Sequence, residues 1–136
     1  MDMRVRISRC VVEAIQRAAA KAEPLEACGL LFGGDDGILE MQIAENVSDD
    51  PERAFEIDPR ALFAALKAER AGGRRITGYW HSHPSGDATP SAADAALAAP
   101  DGRLWLIVAG RETRSWRTSE RGVVHGRFDP VELDQI

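Results

Sequence analysis

The spacing of apolar positions changes several times along the chain, and each change marks an element. Arg4-Val5-Arg6-Ile7 alternates polar and apolar, the period of an edge strand. Ser8 follows as a helix N-cap, and Val11, Val12, Ile15, Ala18, Ala19 and Ala22 then recur at helical spacing until Pro24 ends the run. Ala27 to Gly33 is continuously apolar and suits a strand buried on both faces. Gly33-Gly34-Asp35-Asp36-Gly37 reads as a turn into a second strand, around Ile38 to Glu45, whose apolar members are Ile38, Met41 and Ile43. Asn46 to Arg53 is polar, contains Pro51 and reads as a loop; Phe55 and Ile57 flank Glu56 in a brief strand signal.

Asp58-Pro59 is an acidic N-cap with proline at the first helical position, Leu62, Phe63 and Leu66 form the apolar face behind it, and Gly72-Gly73 closes the helix. Ile76 to Trp80 is a strand that runs into His81-Ser82-His83-Pro84. Thr89-Pro90 repeats the cap-and-proline signature ahead of an alanine-rich helix over Ser91 to Ala99. Leu104 to Val108 is a further apolar strand, and Ser115 to Arg117 with Val123-Val124 predict a closing hairpin. This mixture predicts an α/β (α+β) fold, a mixed β-sheet flanked by helices.

Composition narrows the function. The 136 residues suit one domain spanning 1–136, and 44% hydrophobic with 29% charged residues reads as soluble and globular. No apolar run approaches the roughly 20 residues that cross a bilayer, and the opening MDMRVRISRC lacks the apolar stretch of a signal peptide, so no membrane association and a cytoplasmic location are expected. A net charge of -5 gives no electrostatic reason to expect nucleic acid. Arg111, Arg114, Arg117 and Arg121 read as a solvated hairpin face, with a patch for an acidic partner as the alternative. The two cysteines, Cys10 and Cys28, make no disulfide framework, and both are expected to be reduced and partly buried.

The candidate chemistry lies in Gly78 to Asp94. In an extended segment, residues two apart point the same way, so His81 and His83 can chelate one ion, and imidazole suits zinc. Asp94 stands three residues after Ser91 on the same expected helix, which puts a carboxylate and a hydroxyl on one face. Two histidines and one carboxylate leave a tetrahedral zinc with an open fourth position, the pattern of catalytic sites. Water held there reaches a pKa of about 7. Such a site still needs a base that is not a ligand. Glu26, at the entry to the buried strand, is the candidate, although position alone favours an ordinary surface glutamate.

Glu26, then His81-Ser82-His83, Ser91 and Asp94 at these intervals resembles the signature of the JAMM (MPN+) metalloproteases. The segment Pro24 to Gly33 is also similar to the one that carries the family's glutamate. The resemblance covers nearly the whole chain. It implies the JAMM/MPN, cytidine-deaminase-like fold, Zn2+ held by His81, His83 and Asp94, Glu26 as the base, and Ser91 donating to the water or the oxyanion. Ser82 fills a tolerant position, has no catalytic role, and is expected to be core-side or bonded to backbone. The resemblance further implies cleavage of amide bonds after the C-terminal glycines of ubiquitin-like proteins. The short chain is more similar to small prokaryotic members, some of which process sulfur-carrier proteins, so a ubiquitin-like or sulfur-carrier partner ending in Gly-Gly is expected. The alternative is a non-catalytic scaffold module of the same fold; the intact ligand positions oppose it. A deaminase is excluded by the missing His-x-Glu and Pro-Cys-x-x-Cys motifs.

Asp87 is a rival ligand, less defined because it lies in a glycine-containing loop. His125, far along the chain, reads as a surface residue. Cys28 shares the side of Glu26 and reads as a buried structural thiol, with pocket lining as the alternative. Trp80 should face away from the histidines into the core, Trp105 and Trp116 should pack, and Tyr79 falls on the histidine side, within reach of substrate. Oligomeric state is not legible.

Overall fold

The computed structural model describes residues 4–136; the first three residues of the expected domain lie outside the described residues. Strand β1 (Arg4–Ile7) leads into helix α1 (Arg9–Ala22), then β2 (Cys28–Gly34) and β3 (Gly37–Ala44). Helix α2 (Pro59–Arg70), strand β4 (Ile76–Ser82) and helix α3 (Ala92–Leu97) follow, and β5 (Leu104–Ala109), β6 (Glu112–Gly122) and β7 (Gly126–Gln135) complete the chain. The strands form one mixed, closed sheet in the order β1-β3-β2-β4-β5-β6-β7. The β4–β5 and β1–β7 pairs are parallel, while β2–β3, β2–β4, β5–β6 and β6–β7 are antiparallel. This is the expected α+β class. Among the described residues no helix is long and apolar enough to cross a membrane.

Both faces of the central strands are buried, as the unbroken apolar run of β2 requires. Val11, Val12 and Ile15 of α1 pack with Leu31, Trp80, Leu104, Leu106 and Val108 on one face. On the other, Cys28, Leu30, Trp105, Ile107, Trp116 and Phe128 pack with Phe55 and Ile57 and with Leu62, Ala65 and Leu66 of α2. Trp80 faces away from His81 as expected, and its indole N–H donates to the Gln42 carbonyl at 3.2 Å. Cys28 is wholly buried, but Cys10 is exposed on α1, where partial burial was expected for both.

Further expectations need correction. Helix α3 is capped by Ser91, not Thr89: the Thr89 N–H is held by the Asp87 carboxylate and its hydroxyl by Arg114, whereas Ser91 and Asp94 form a reciprocal capping box. The helix stops at Leu97, short of Ala99, because the residue before Pro100 is pushed away from helical backbone. On α2, Phe63 points to solvent and Ala65 takes its expected place in the apolar face, one helical turn from Leu62. The closing hairpin is far longer than Ser115–Arg117 and Val123-Val124, which instead fall within β6 and in its turn. Phe55-Glu56-Ile57 makes only an isolated bridge, Ile57 to Asn46.

At Gly29 of β2 the neighbouring strands leave no room for a side chain: a Cβ there collides with the Gln42 carbonyl of β3 and the Trp80 indole of β4. Gly34, by contrast, has open space around it. Gly29→Ala is expected to cost at least about 2 kcal/mol through overpacking, and Gly34→Ala less than about 1 kcal/mol, in urea unfolding of the two variants. Equal effects would contradict this packing.

Candidate metal centre

The register of β2 against β4 sets the centre. Cys28 pairs with His81, and beyond it Ser82 N–H donates to the Ala27 carbonyl at 3.0 Å. The Ser82 hydroxyl accepts the Ala27 N–H at 2.8 Å. Ser82 is thus backbone-bonded as expected, and the bond has a use: it locks the residue next to Glu26 onto the residue between the two histidines. Glu26 N–H donates to the Pro51 carbonyl at 2.8 Å, and its own carbonyl accepts from the Asn46 amide at 2.9 Å. With its peptide held on both sides, Glu26 is buried at 5% exposure, and the ordinary surface reading is wrong.

Asp94 arrives from the other direction, at the third position of α3. Its Oδ2 accepts the Ser91 N–H at 3.0 Å, and the Ser91 Oγ accepts the Asp94 N–H at 3.0 Å. That same Oδ2 lies 3.1 Å from His81 Nε2 and 3.1 Å from His83 Nε2, and the two ring nitrogens are 3.0 Å apart. One proton cannot satisfy all three sides of such a triangle. A cation can: ligand atoms about 2.0–2.1 Å from a tetrahedral zinc stand roughly 3.3 Å from one another. Glu26 joins the group, with ligand atoms of all four residues within 4.8 Å of one another. Its Oε1 is buried and has no hydrogen-bond partner among the described residues. The buried Glu/His/His/Asp group fits Zn2+.

The environment tunes each group. Burial pushes Glu26 up to about 7, against the pull of His83 and with the help of Asp94 and Asp50. Burial alone would raise Asp94, but hydrogen bonds from His81, His83 and the Ser91 N–H hold it well below the usual carboxylate range. Burial lowers His81 below an ordinary histidine, partly offset by Asp94. Burial also pulls on His83, but Asp94, the Asp87 carbonyl and Glu26 outweigh it and raise that imidazole. Cys28, opposite His81, is pushed up to about 12 chiefly by burial, so its thiol stays protonated and structural.

Asp87 stands outside the cluster of ligand atoms. Its side chain is spent on the Thr89 N–H, and its carbonyl accepts from His83 Nδ1 at 2.6 Å, fixing that ring's tautomer. His125 is exposed as expected, yet its Nε2 lies 3.0 Å from the Pro90 carbonyl, next to the α3 cap. The Trp116 indole donates to the Ala88 carbonyl in the same loop. Trp105 and Trp116 are core residues as expected. Tyr79 meets Trp105 edge-on, accepts from Arg103 and lines an apolar pocket of about 190 Å³ with Phe55, Ile57 and Leu62. Of the basic cluster, Arg114 lies over Trp116 and Arg117 donates to the Gly102 carbonyl, so neither is a bare solvated charge.

Sequence reasoning missed Asn46, whose signal was one polar residue in a polar loop. It also missed the Asp87 carbonyl, which leaves no mark on sequence.

Comparison with known proteins agrees with this geometry. The chain is 34% identical over 110 residues to the desampylase of Haloferax volcanii, covering 77% of this chain and 79% of that protein. It is 33% identical over 88 residues to a probable TtuB-protein conjugate cleaving protease of Thermus thermophilus, covering 65% and 59% respectively. A solution structure of a Desulfitobacterium hafniense protein superposes with a TM-score of 0.79 at 28% identity, covering 96% of this chain and 92% of that one. Residues 8–119 match the prokaryotic homologs of the JAB domain, and the chain belongs to that family, as a small prokaryotic JAMM/MPN+ protein.

Proposed function

We propose that the chain, acting as one domain, is a zinc-dependent peptidase or isopeptidase that cleaves the amide bond after the terminal glycines of a ubiquitin-like or sulfur-carrier protein. One observation carries the reading: three converging ligand atoms stand beside a buried carboxylate oxygen that has no hydrogen-bond partner among the described residues. The names of the two relatives, a desampylase and a TtuB-conjugate cleaving protease, support the substrate class.

His81 Nε2, His83 Nε2 and Asp94 Oδ2 would hold the ion. Bound there, zinc supplies Lewis acidity, polarising a carbonyl and making hydroxide available near neutral pH. Glu26 handles the proton. A carboxyl that titrates near 7 accepts a proton from water and returns it to a leaving amine at comparable cost. The Ser91 Oγ already accepts from Asp94, which leaves its O–H to donate to a developing oxyanion. The Asp87 carbonyl keeps a proton on His83 Nδ1, so the Nε2 lone pair faces the ion.

The test is cleavage of a ubiquitin-like carrier extended past its Gly-Gly, both head-to-tail and through a lysine side chain. Zinc-loaded protein should release the carrier at the second glycine, lose activity to a chelator and regain it with zinc. No cleavage across several carriers, or cleavage indifferent to chelation, would overturn the proposal. Glu26→Gln should keep its zinc and lose about 10²–10⁴-fold in kcat.

The same substitution should raise the stability of the metal-free protein at pH 8. Glu26 binds its proton more tightly folded than unfolded, so its favourable contribution is complete below 4.5 and lost as pH rises through about 7. The difference reaches a ceiling of about 3 kcal/mol above pH 7. Chemical denaturation of Glu26→Gln at pH 8 and at pH 5 should show a gain at the first and little at the second; a gain equal at both would refute the buried titration.

Acid should displace the ion, since both imidazoles must be unprotonated to bind it. Zinc per chain should fall as pH drops from 7 toward about 4, and content unchanged at pH 4 would argue against histidine ligation.

A further inference from the structure

The two histidines offer Nε2 to the same point, and each must then carry its proton on Nδ1. They are held there in different ways. The His83 Nδ1–H donates to the Asp87 carbonyl at 2.6 Å. His81 is fully buried, and its Nδ1 has no hydrogen-bond partner among the described residues. A metal-ligating imidazole almost always donates that second N–H to a carbonyl, a carboxylate or water, and the bond sets the ring's orientation.

What His81 has is aromatic packing. The Phe55 ring lies over the imidazole with centroids 4.1 Å apart and planes inclined by 22°. Trp105 meets the same imidazole edge-on at 5.7 Å and 85°. Phe55 is braced in turn by Trp105, at 5.4 Å and 64°, and is buried. The two rings fix both the plane and the position of His81 by contact alone.

One side chain brackets the backbone around Phe55. The Asn46 amide donates to the Ala54 carbonyl at 3.1 Å, and its Oδ1 accepts the Glu56 N–H at 3.1 Å, bracketing Phe55 on both sides. The Oδ1 also accepts the Ser48 N–H, and the amide nitrogen also donates to the Glu26 carbonyl. Val47 N–H donates to the Glu56 carbonyl, extending the brace. Asn46 thereby ties the stacked ring and the peptide of the buried carboxylate to a single group.

We propose that Phe55 is a positioning residue for the metal centre: its stacked ring stands in for the Nδ1 hydrogen bond that no described residue makes with His81, and holds His81 Nε2 toward His83 and Asp94. The inference rests on the reading of those three residues as ligands of a divalent ion. Its role is to pre-orient a ligand, which shows in metal affinity and ligand geometry whether or not any substrate turns over.

Phe55→Leu keeps an apolar side chain but removes the flat face, and Phe55→Tyr keeps the face. Zinc affinity of the purified full chain is read by competition with a chromophoric chelator, and ligand geometry by the visible absorption of the cobalt(II)-loaded protein. Phe55→Leu should weaken zinc binding by about tenfold or more and alter the cobalt spectrum, and Phe55→Tyr should restore both. Wild-type affinity and an unchanged spectrum in Phe55→Leu would overturn the role of Phe55 while leaving the metal centre standing. A wild-type protein that binds neither ion would instead remove the centre itself, and the inference with it. Should Phe55→Leu fail to fold, histidine-ring NMR of the wild-type zinc form decides. Both rings should be Nδ1–H tautomers, with His81 ring protons moved upfield by the Phe55 face; an unshifted His81 ring would overturn the proposal.

Discussion

Nε2 of His81, Nε2 of His83 and Oδ2 of Asp94 form a triangle with sides of 3.0 to 3.1 Å, and the rest of the structure is arranged so that this triangle can exist. Two of its corners come from the end of one strand and the third from the first turn of a helix reached through a loop. No local rule brings them together. The strand end is fixed by the Ala27–Ser82 bonds on one side and by the His83 N–H to the Val108 carbonyl on the other. The helix corner is fixed by the capping box. A carboxylate oxygen that already accepts the Ser91 N–H has little freedom to rotate away, so the bonds that start α3 also aim Asp94. A short helix suffices, because only its first turn matters here.

Electrostatics sets the two carboxylates of the centre apart. With neutral imidazoles the cluster places two buried carboxylates near each other, an arrangement that costs several kcal/mol unless compensated. The folded chain relieves it unequally. Asp94 is held in its charged form by the Ser91 N–H and the two neighbouring imidazoles, while Glu26 has no donor among the described residues and is driven toward its neutral form. The same environment thus separates two chemically similar groups into a permanent anion and a group that exchanges its proton near neutral pH. Two apolar faces on the central strands offset the cost of holding such a cluster, and the β2–β4 pairing keeps those faces in register with it.

The parts legible in sequence were those with a period or a cap. Continuous apolar runs marked β2 and β5, the Asp58-Pro59 pair marked α2, and the two-residue spacing of His81 and His83 put both imidazoles on one side of their strand. The failures have physical reasons. Strands β6 and β7 carry polar residues and an internal Pro130, so their backbone ladder bonds leave no apolar alternation to read. Thr89-Pro90 and Ser91 both look like helix starts, and only the side-chain bonds of Asp87 and Asp94 choose between them. Glu26 was ambiguous by position, since burial is a property of what packs around it, and that covering segment read as a polar loop.

That segment, residues 46–57, shows where positional information hides in this fold. By composition it is polar, contains a proline and carries one brief strand signal. In the structure Pro51 accepts from the Glu26 N–H, Asn46 satisfies four backbone groups, and Phe55 covers His81. Each of these is a bond from a side chain to a distant peptide, or a contact between rings far apart in sequence. Such links have no periodicity, so hydrophobic patterning cannot reveal them, yet they help to place a carboxylate and an imidazole. An irregular segment can hold a site as rigidly as a strand when its backbone groups are satisfied by side chains instead of by a ladder. Polarity in a segment beside a buried cluster of titratable groups is therefore better read as a demand for internal hydrogen bonds than as exposure to solvent.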